Sequence, residues 1–236
     1  MKPTEFNCRV TAFKSLTPTV FELSFETDHD LPFEAGQFVS VIIPGAGPKG
    51  RDLRRAYSIA SPPESPALEL CVKIVEEGPG TQFLYRLRPN DQLRVVAPYG
   101  SFVYQKQTER NICFIATGTG IAPFRSMVMS KAFQEELPPK SFCLLGVRTE
   151  DELLYADLFN HVPGMKFIPA LSQPNSEWNG FKGRVTHYLQ TLGNEFPWLN
   201  TEFYLCGHGG MINEVKALLT EKGVTKDSIH QEIYYK

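Results

Sequence analysis

Three short segments of this sequence carry residue types that could bind a phosphate-bearing ligand. In the first, Arg55 and Tyr57 are two residues apart and would share one face of a strand, with Ser58 on the other face. A guanidinium suits a phosphate, a phenol offers an aromatic face and a hydroxyl, and a serine hydroxyl can hydrogen-bond to a ring nitrogen. The same pattern is also typical of a solvated edge strand, so the segment alone leaves both interpretations open.

The other two segments are glycine-bearing turns. Gly78-Pro79-Gly80-Thr81 precedes a helical pattern, and Gly118-Thr119-Gly120 lies between an apolar run and a second helical pattern. Glycine allows the backbone to approach a ligand closely, and the first N–H groups of a helix can bind a phosphate. A hairpin loop and a tight strand-to-helix turn are the respective alternatives. The second turn lacks the third glycine of the standard dinucleotide fingerprint.

The composition is that of an ordinary globular protein, and 236 residues predict two domains. Acidic residues outnumber basic residues by only 26 to 24, which argues against a nucleic-acid-binding protein. The first ten residues do not have the pattern of a signal peptide, and no apolar stretch approaches the ~20 residues of a spanning helix. We therefore expect a cytoplasmic protein without a membrane span.

The five cysteines are scattered singly along the chain. None of them forms a pair with the spacing of a zinc site or an iron–sulfur loop, so we expect no metal site. Their odd number and apolar neighbours predict reduced, mostly buried thiols in a reducing compartment. The cysteines are Cys8, Cys71, Cys113, Cys143 and Cys206.

The first half of the chain contains six short strand-like runs separated by proline and glycine, with one helix predicted at 81–87. This spacing predicts an antiparallel six-stranded β-barrel or a sandwich. The predicted strands are 6–13, 20–25, 38–43, 56–60, 68–75 and 92–96.

The second half alternates strands with helices, which predicts an α/β domain with a parallel sheet and crossover helices. We place the domain boundary near Lys106, which gives domains of 1–106 and 107–236. The predicted strands are 111–116, 141–146, 165–170, 202–206 and 229–234, and the predicted helices are 123–133, 151–160, 184–192 and 211–222.

Six motifs that occur in order along nearly the whole chain resemble those of the ferredoxin–NADP reductase superfamily. The resemblance implies an N-terminal antiparallel FAD-binding β-barrel and a C-terminal doubly wound α/β domain for NAD or NADP, with the flavin in the cleft between them. The motifs are Arg55-Ala56-Tyr57-Ser58, Gly80-Thr81, Pro98-Tyr99-Gly100-Ser101-Phe102, Gly118-Thr119-Gly120-Ile121-Ala122-Pro123, Cys206-Gly207 and Glu232-Ile233-Tyr234.

For the first domain, the resemblance implies that the segment Arg55-Ala56-Tyr57-Ser58 binds the flavin. Arg55 would bind its phosphate or pyrophosphate, and Tyr57 would pack against the flavin and bond to its ribityl chain. The Ser58 hydroxyl would reach the flavin N5 atom, which accepts hydride.

Two further segments of the first domain belong to the implied flavin site. The backbone of Val72 and Lys73 would hold the pyrimidine side of the ring. Gly80 and Thr81 match a phosphate turn that usually accompanies FAD and not FMN.

For the second domain, the resemblance implies a nicotinamide site at Thr119, Gly120, Cys206 and Gly207. We expect Cys206 to pack against the nicotinamide ring and not to act as a nucleophile. A cysteine at a strand end is otherwise usually part of the core.

The C-terminus resembles the plant-type reductase ending, in which a carboxylate lies near the flavin N5 atom and an aromatic ring covers the isoalloxazine. Glu232 and Tyr234 match these positions. Tyr235 and Lys236 extend beyond the usual last residue, so the stacking residue is Tyr234 or Tyr235, with Tyr234 favoured. A frayed tail without function is the alternative.

The nucleotide preference stays open between NADH and NADPH. Many NADPH-dependent relatives have an arginine directly after the serine that matches Ser172, but this chain has Gln173. Lys182, Arg184 and Arg148 could bind a 2′-phosphate instead. Arg148 could meet the adenosine end of the nucleotide or could pair with a nearby carboxylate.

The implied activity is electron transfer between NAD(P)H and a one-electron carrier such as a ferredoxin or flavodoxin, by hydride transfer at flavin N5 in a monomer or weak dimer. Ser58, Cys206, Glu232 and Tyr234 would be the catalytic residues. Three alternatives stay open: a free-flavin reductase, the reductase component of a multicomponent oxygenase, and a non-catalytic flavin-binding regulatory module.

Overall fold

The computed structural model describes residues 2–105 and 109–235. The residue at which we place the domain boundary, Lys106, lies outside the described residues. Two compact units are present. The first contains the residues up to Tyr104 together with Ala122–Ala132, and the second contains Gln105–Ile121 and the residues from Phe133 onward.

The first unit is built on a six-stranded antiparallel sheet with the strand order β4-β3-β6-β1-β2-β5. The fold class predicted for this half is therefore confirmed. The strands are β1 (Thr4–Thr17), β2 (Val20–Thr27), β3 (Phe38–Ile43), β4 (Leu53–Ser58), β5 (Leu68–Lys73) and β6 (Gln92–Tyr99).

Strand β1 shows why these residues form a sheet with one buried face. Phe6, Cys8 and Val10 are buried, whereas the intervening Asn7 and Arg9 are exposed. This alternation is the period of a half-buried strand. Strand β1 is longer than predicted because it pairs with β6 through its first half and with β2 from Cys8 onward.

The two outer strands of this sheet meet beyond the end of β4. A single bridge joins Ile59 to Leu70, and the Ala60 N–H donates to the Glu69 carbonyl at 2.7 Å. The sheet thereby closes on a core of buried aliphatic and aromatic side chains. The unit also contains the helices α1 (Pro79–Arg86) and α2 (Ala122–Met129).

The second unit is a six-stranded parallel sheet with the order β10-β9-β8-β7-β11-β12, which confirms the predicted α/β fold class. Its strands are β7 (Asn111–Thr117), β8 (Ser141–Val147), β9 (Met165–Leu171), β10 (Phe181–Lys182), β11 (Thr201–His208) and β12 (Ile229–Tyr235). Its helices are α3 (Lys131–Gln134), of which the last two residues belong to this unit, α4 (Ala156–His161), α5 (Val185–Thr191) and α6 (Gly209–Glu221).

The helix predicted at 151–160 is wrong over its first half. Only a short 3₁₀ turn (Glu150–Glu152) and α4 form there. Tyr155 has φ +54°, a left-handed conformation that a continuing α-helix does not contain. The helix predicted at 123–133 is likewise divided at Ser130, whose hydroxyl donates to the Met127 carbonyl at 2.7 Å.

In the part of the chain that the structure describes, no helix has the length and apolar character needed to cross a membrane.

Candidate functional site

In the first unit, the predicted flavin-binding segment lies on β4, a strand that pairs with β3 on one side only. Arg55 and Ala56 are exposed, Tyr57 is half-buried, and Ser58 is 5% exposed. The Arg55 Nη1 atom donates to the Arg54 carbonyl at 2.9 Å. The guanidinium therefore stays at the surface, where it can meet a phosphate.

The first turn of α1 packs against this segment. A Cβ atom added to Gly80 would lie 2.7 Å from the Tyr57 Oη atom and 2.9 Å from the Arg55 Cγ atom. The two side chains therefore reach the same point, as expected for residues on one face of a strand. Only glycine leaves this space open, so the structure brings Arg55, Tyr57 and the start of α1 together.

Helix α1 begins with Pro79 after an N-cap at Gly78 that supplies no side-chain cap. The N–H groups of Gly80 and Thr81 belong to the first turn, where a helix has no carbonyl of its own to offer them. The Thr81 hydroxyl accepts a hydrogen bond from the Val75 N–H at 3.1 Å, so its side chain holds the loop before the helix. A phosphate would bind to the backbone N–H groups of this turn and to Arg55.

The remaining flavin candidates lie on β5. Val72 is 1% exposed and belongs to the barrel core, and Lys73 is exposed. Strand β5 is the last strand of its sheet and pairs with β2 on one side. On its other side, the only pairing among the described residues is the single bridge between Leu70 and Ile59. The backbone at Val72 and Lys73 is thus placed where it could bond to a ring. The exposed Arg55 guanidinium, the half-buried Tyr57 ring, the free N–H groups of the α1 turn and the open β5 backbone fit the phosphates and the ring of FAD.

In the second unit, the predicted nucleotide-binding residues lie at one edge of the sheet. Most of them lie near the end of a parallel strand or in the loop that follows it, and parallel strands end at the same edge. Glu232 lies at the middle of its strand. Across the sheet, Ser172 follows β9, Arg148 follows β8, Thr119 and Gly120 follow β7, Cys206 and Gly207 are in β11, and Glu232 and Tyr234 are in β12.

The turn after β7 lies directly on the end of β11. A Cβ atom at Gly120 would be 2.4 Å from the carbonyl oxygen of Cys206. Gly207 has φ +132°, and a Cβ atom there would be 2.3 Å from the Thr117 Oγ1 atom. The Thr117 hydroxyl accepts a hydrogen bond from the His208 N–H at 3.0 Å. Both glycines are therefore required for close backbone packing in which Thr119 is also buried.

Cys206 is fully buried and is aligned with Ala116 on one side and Glu232 on the other. Burial raises the pKa of its thiol well above the usual value, the charge of Glu232 raises it further, and a hydrogen bond with Tyr234 opposes these effects. The thiol is neutral at physiological pH, which suits a packing role and not a nucleophile.

The hydrogen bond to Cys206 also places the Tyr234 side chain. Strand β12 runs to Tyr235 and pairs with β11 up to His208. The C-terminal segment is therefore an ordered strand, and Tyr234 reaches the residue predicted to contact the nicotinamide. The assignment of the stacking residue to Tyr234 or Tyr235 stays a prediction.

The loops after β8 and β9 are joined by backbone hydrogen bonds. The Ser172 N–H donates to the Val147 carbonyl at 3.1 Å, and the Gln173 N–H donates to the Arg148 carbonyl at 2.8 Å. The Arg148 N–H donates to Glu152 at 2.9 Å, but in the described residues its guanidinium makes no ion pair with a carboxylate. The exposed Arg148 side chain is thus available to a nucleotide.

Arg125, a residue of α2 within the first unit, was not predicted as a site residue. Its guanidinium donates to Glu69 at 2.5 Å and to the Ala60 carbonyl at 2.9 Å, and it lies 3.8 Å from Glu22. Ser126 donates to the Ser61 carbonyl at 2.7 Å. The only signal in the sequence was a single arginine within a mostly apolar helix that follows the glycine turn.

Two family models match the chain: residues 7–104 match an oxidoreductase FAD-binding domain, and residues 114–217 match an oxidoreductase NAD-binding domain. The chain is 34% identical to ferredoxin–NADP reductase B of Sorangium cellulosum over 97% of both proteins. It is 32% identical to the reductase component of a Pseudomonas phenol 2-monooxygenase, over 96% of this chain and 64% of that protein, slightly less than two thirds of its length.

Among solved structures, a ferredoxin–NADP⁺ reductase from Neisseria gonorrhoeae with bound FAD and NADP superposes with a TM-score of 0.81 at 20% identity. The superposition covers 100% of this chain and 99% of that chain. It supports the fold. The full-length match to the Sorangium protein and the two domain matches establish that this chain is a flavin-dependent oxidoreductase of the ferredoxin–NADP reductase superfamily.

Proposed function

We propose that this protein transfers electrons between NAD(P)H and a one-electron carrier such as a ferredoxin or flavodoxin, through bound FAD. The observation that carries the proposal is the convergence of Arg55, Tyr57 and the first turn of α1 at Gly80. The candidate nucleotide-binding residues on or after β7, β8, β9 and β11, toward one edge of the parallel sheet, also support it. A full-length relative carries the name of this activity.

Bound FAD would supply the chemistry that connects the two substrates, because a flavin accepts two electrons as hydride and releases them one at a time. In the first unit, Arg55 and the α1 turn would hold the phosphates, Tyr57 would pack against the flavin, and Ser58 would hydrogen-bond at N5. The backbone of Val72 and Lys73 would bind the pyrimidine side of the ring.

In the second unit, Thr119, Gly120 and Gly207 would bind the nicotinamide portion and Cys206 would pack against its ring. Glu232 would act with Ser58 at N5. Tyr234 would occupy the nicotinamide position until the nucleotide displaces it.

The adenosine portion would bind to the loops after β8 and β9, at Arg148 and Ser172. Because the Gln173 side chain is neutral, a preference for NADPH would depend on Arg148, Lys182 and Arg184, which are all exposed near the ends of β8, β9 and β10. An anaerobic titration of the flavin spectrum with NADH and with NADPH would determine the preference.

A test of the N5 assignment is the Ser58→Ala variant, with Ser24→Ala as a matched control from a strand of the same sheet. We expect Ser58→Ala to retain flavin but to reduce it more slowly in anaerobic stopped-flow mixing with NAD(P)H, while Ser24→Ala behaves as the wild type. An unchanged reduction rate in Ser58→Ala would refute the role of this hydroxyl.

The similarity to a phenol 2-monooxygenase reductase component favours a second candidate, the reductase of a multicomponent oxygenase. The spacing of the cysteines offers no iron–sulfur loop, and in the described residues no three His, Cys, Asp or Glu side chains could together hold a metal ion. In this role, a ferredoxin would carry the electrons to the oxygenase. Cytochrome c reduction would be measured without a ferredoxin, with a ferredoxin that serves general metabolism and with a ferredoxin that serves an oxygenase. The ferredoxin that gives the faster reduction would distinguish the two candidate functions.

The five cysteines are all free and buried, which supports a reducing, cytoplasmic location. A monomer or weak dimer suffices for the proposed function, since the chain itself supplies every residue assigned above. Sedimentation at several protein concentrations would test the oligomeric state.

A further inference from the structure

A pocket of about 250 Å³ opens in the second unit at the edge of the sheet where the parallel strands begin. The proposed nucleotide-binding residues lie at the opposite edge, where the strands end. None of the residues that line the pocket belongs to the flavin or nucleotide sites described above. The pocket is therefore a separate feature of this unit.

The floor of the pocket follows from the strand register. Cys113, Phe142 and Lys166 are aligned on β7, β8 and β9, and Leu144 and Ile168 are aligned two residues further along. Because side chains alternate along a strand, these residues share one face of the sheet. The floor is apolar except at its outer margin, where Lys166 is exposed.

Aromatic side chains form much of the wall. Phe142 and Phe196 lie with their ring centroids 5.2 Å apart, and Tyr188 of α5 completes the lining. The loop that carries Phe196 is held in place by Trp198, whose Nε1 atom donates to the Gly193 carbonyl at 3.1 Å. The pocket is thus preformed, as small-molecule sites usually are.

Two lysines line the pocket beside this apolar and aromatic surface. Lys140 directly precedes β8 and Lys166 is the second residue of β9, so both lie at the beginning of neighbouring strands. Glu195 also lines the pocket, but within the described residues neither lysine forms an ion pair with it or with any other carboxylate. The lining has an excess of one positive charge.

We propose that this pocket binds a small aromatic carboxylate. The ring would pack against Phe142, Tyr188 and Phe196, and the carboxylate would accept hydrogen bonds from Lys140 and Lys166. The volume suits a single substituted ring and excludes a dinucleotide. A neutral arene would leave the excess charge uncompensated, and an inorganic anion would not use the aromatic wall. This site is independent of the proposed electron acceptor.

The probe is 4-fluorobenzoate, added to the flavin-loaded full-length protein and observed by ¹⁹F NMR. We expect saturable binding that persists in the presence of saturating NAD⁺ or NADP⁺, since the nucleotide would occupy the opposite edge of the sheet. Neutral 4-fluorobenzamide should bind several-fold more weakly. No binding up to about 10 mM, a concentration at which even millimolar sites are largely filled, would refute the proposal, as would displacement by the nucleotide.

The test variants are Lys140→Gln, Lys166→Gln and the double variant that combines them. The control variant is Lys226→Gln, at an exposed lysine that does not line the pocket. Each pocket lysine should contribute about a threefold to fivefold effect on the dissociation constant, as solvent-accessible ion pairs do. The double variant should therefore bind about tenfold or more weakly with unchanged flavin content, and Lys226→Gln should match the wild type. Equal affinity in the double variant and in Lys226→Gln would overturn the assignment.

Discussion

Replacing Gly120 with alanine is the most direct test of the proposed nucleotide-binding site at the end of the parallel strands. The added Cβ atom would lie 2.4 Å from the Cys206 carbonyl oxygen and 2.9 Å from the Gly207 Cα atom. Both neighbours are backbone atoms in a strand that is paired on each side by β7 and β12, so a side-chain rotation cannot relieve the clash. The turn must instead move away from β11 by about 1 Å to restore an ordinary contact.

A displacement of this size should impair hydride transfer much more than folding. Overpacking in a rigid interior costs about 1–3 kcal/mol of stability. Misplacement of a reacting group by about 1 Å can lower a rate by about a hundredfold. We therefore expect Gly120→Ala to remain folded and to retain its flavin, while its reduction by NAD(P)H slows by one to two orders of magnitude.

The assay is anaerobic stopped-flow reduction of the bound flavin, with flavin content and thermal unfolding measured on the same samples. Gly118→Ala is the matched control from the same turn. Gly118 has φ +51°, but its Cβ position meets no atom within 4 Å, so alanine adds backbone strain of about 1–2 kcal/mol without a clash. Wild-type reduction kinetics in Gly120→Ala would refute the proposed contact between the turn and the nicotinamide.

Three further outcomes follow from the structure. Gly80→Ala should release flavin, because its Cβ atom would lie 2.7 Å from the Tyr57 Oη atom; a wild-type ratio of absorbance at 450 nm to 280 nm would contradict this. Arg125→Ala should lower the free energy of unfolding by about 3 kcal/mol in urea titrations, because it leaves the Glu69 carboxylate without its buried partner. Burial raises the pKa of Cys8 to about 12, with the nearby charge of Asp28 as a smaller cause. Above about pH 9 the unfolded thiol loses its proton and the folded thiol keeps it, so stability should fall by up to about 1.4 kcal/mol per pH unit, and Cys8→Ala should reduce that slope.

The sequence predicted the two-sheet architecture because its local patterns agree with the tertiary structure. Alternation in segments such as Phe6–Val10 and the strand–helix alternation after Asn111 are properties of single elements, and the structure contains both. The short strand β10 was not predicted, since two residues carry no period. Its pairing with β9 is set by neighbouring elements and not by its own composition.

The failure at 151–160 has a different origin. Local composition favours a helix there, but Leu154 is buried and Tyr155 has a left-handed backbone conformation. A left-handed residue interrupts an α-helix whatever the helix propensity of its neighbours, and local composition does not predict where one occurs.

The candidate site was predicted residue by residue, but its geometry was not. The motif order indicated that Arg55, Tyr57 and Gly80 act together, and the structure brings them within contact distance. The hydrogen bond between Tyr234 and Cys206 and the ion pair between Arg125 and Glu69 join residues far apart in the sequence. Such contacts depend on how separate elements pack, which no local pattern records.

The grouping of Ala122–Ala132 with the first unit has a consequence for dissecting this protein. The chain passes from one unit to the other after Tyr104, again after Ile121 and again after Ala132, so no single cut in the sequence separates the two units intact. A fragment that ends near Tyr104 would lack α2 and would expose the surface of Ser61 and Glu69 that this helix covers. Chimeras that exchange the reductase halves at a single junction would inherit a mismatched helix. A successful exchange would require that residues 122–132 and the N-terminal barrel come from the same parent protein.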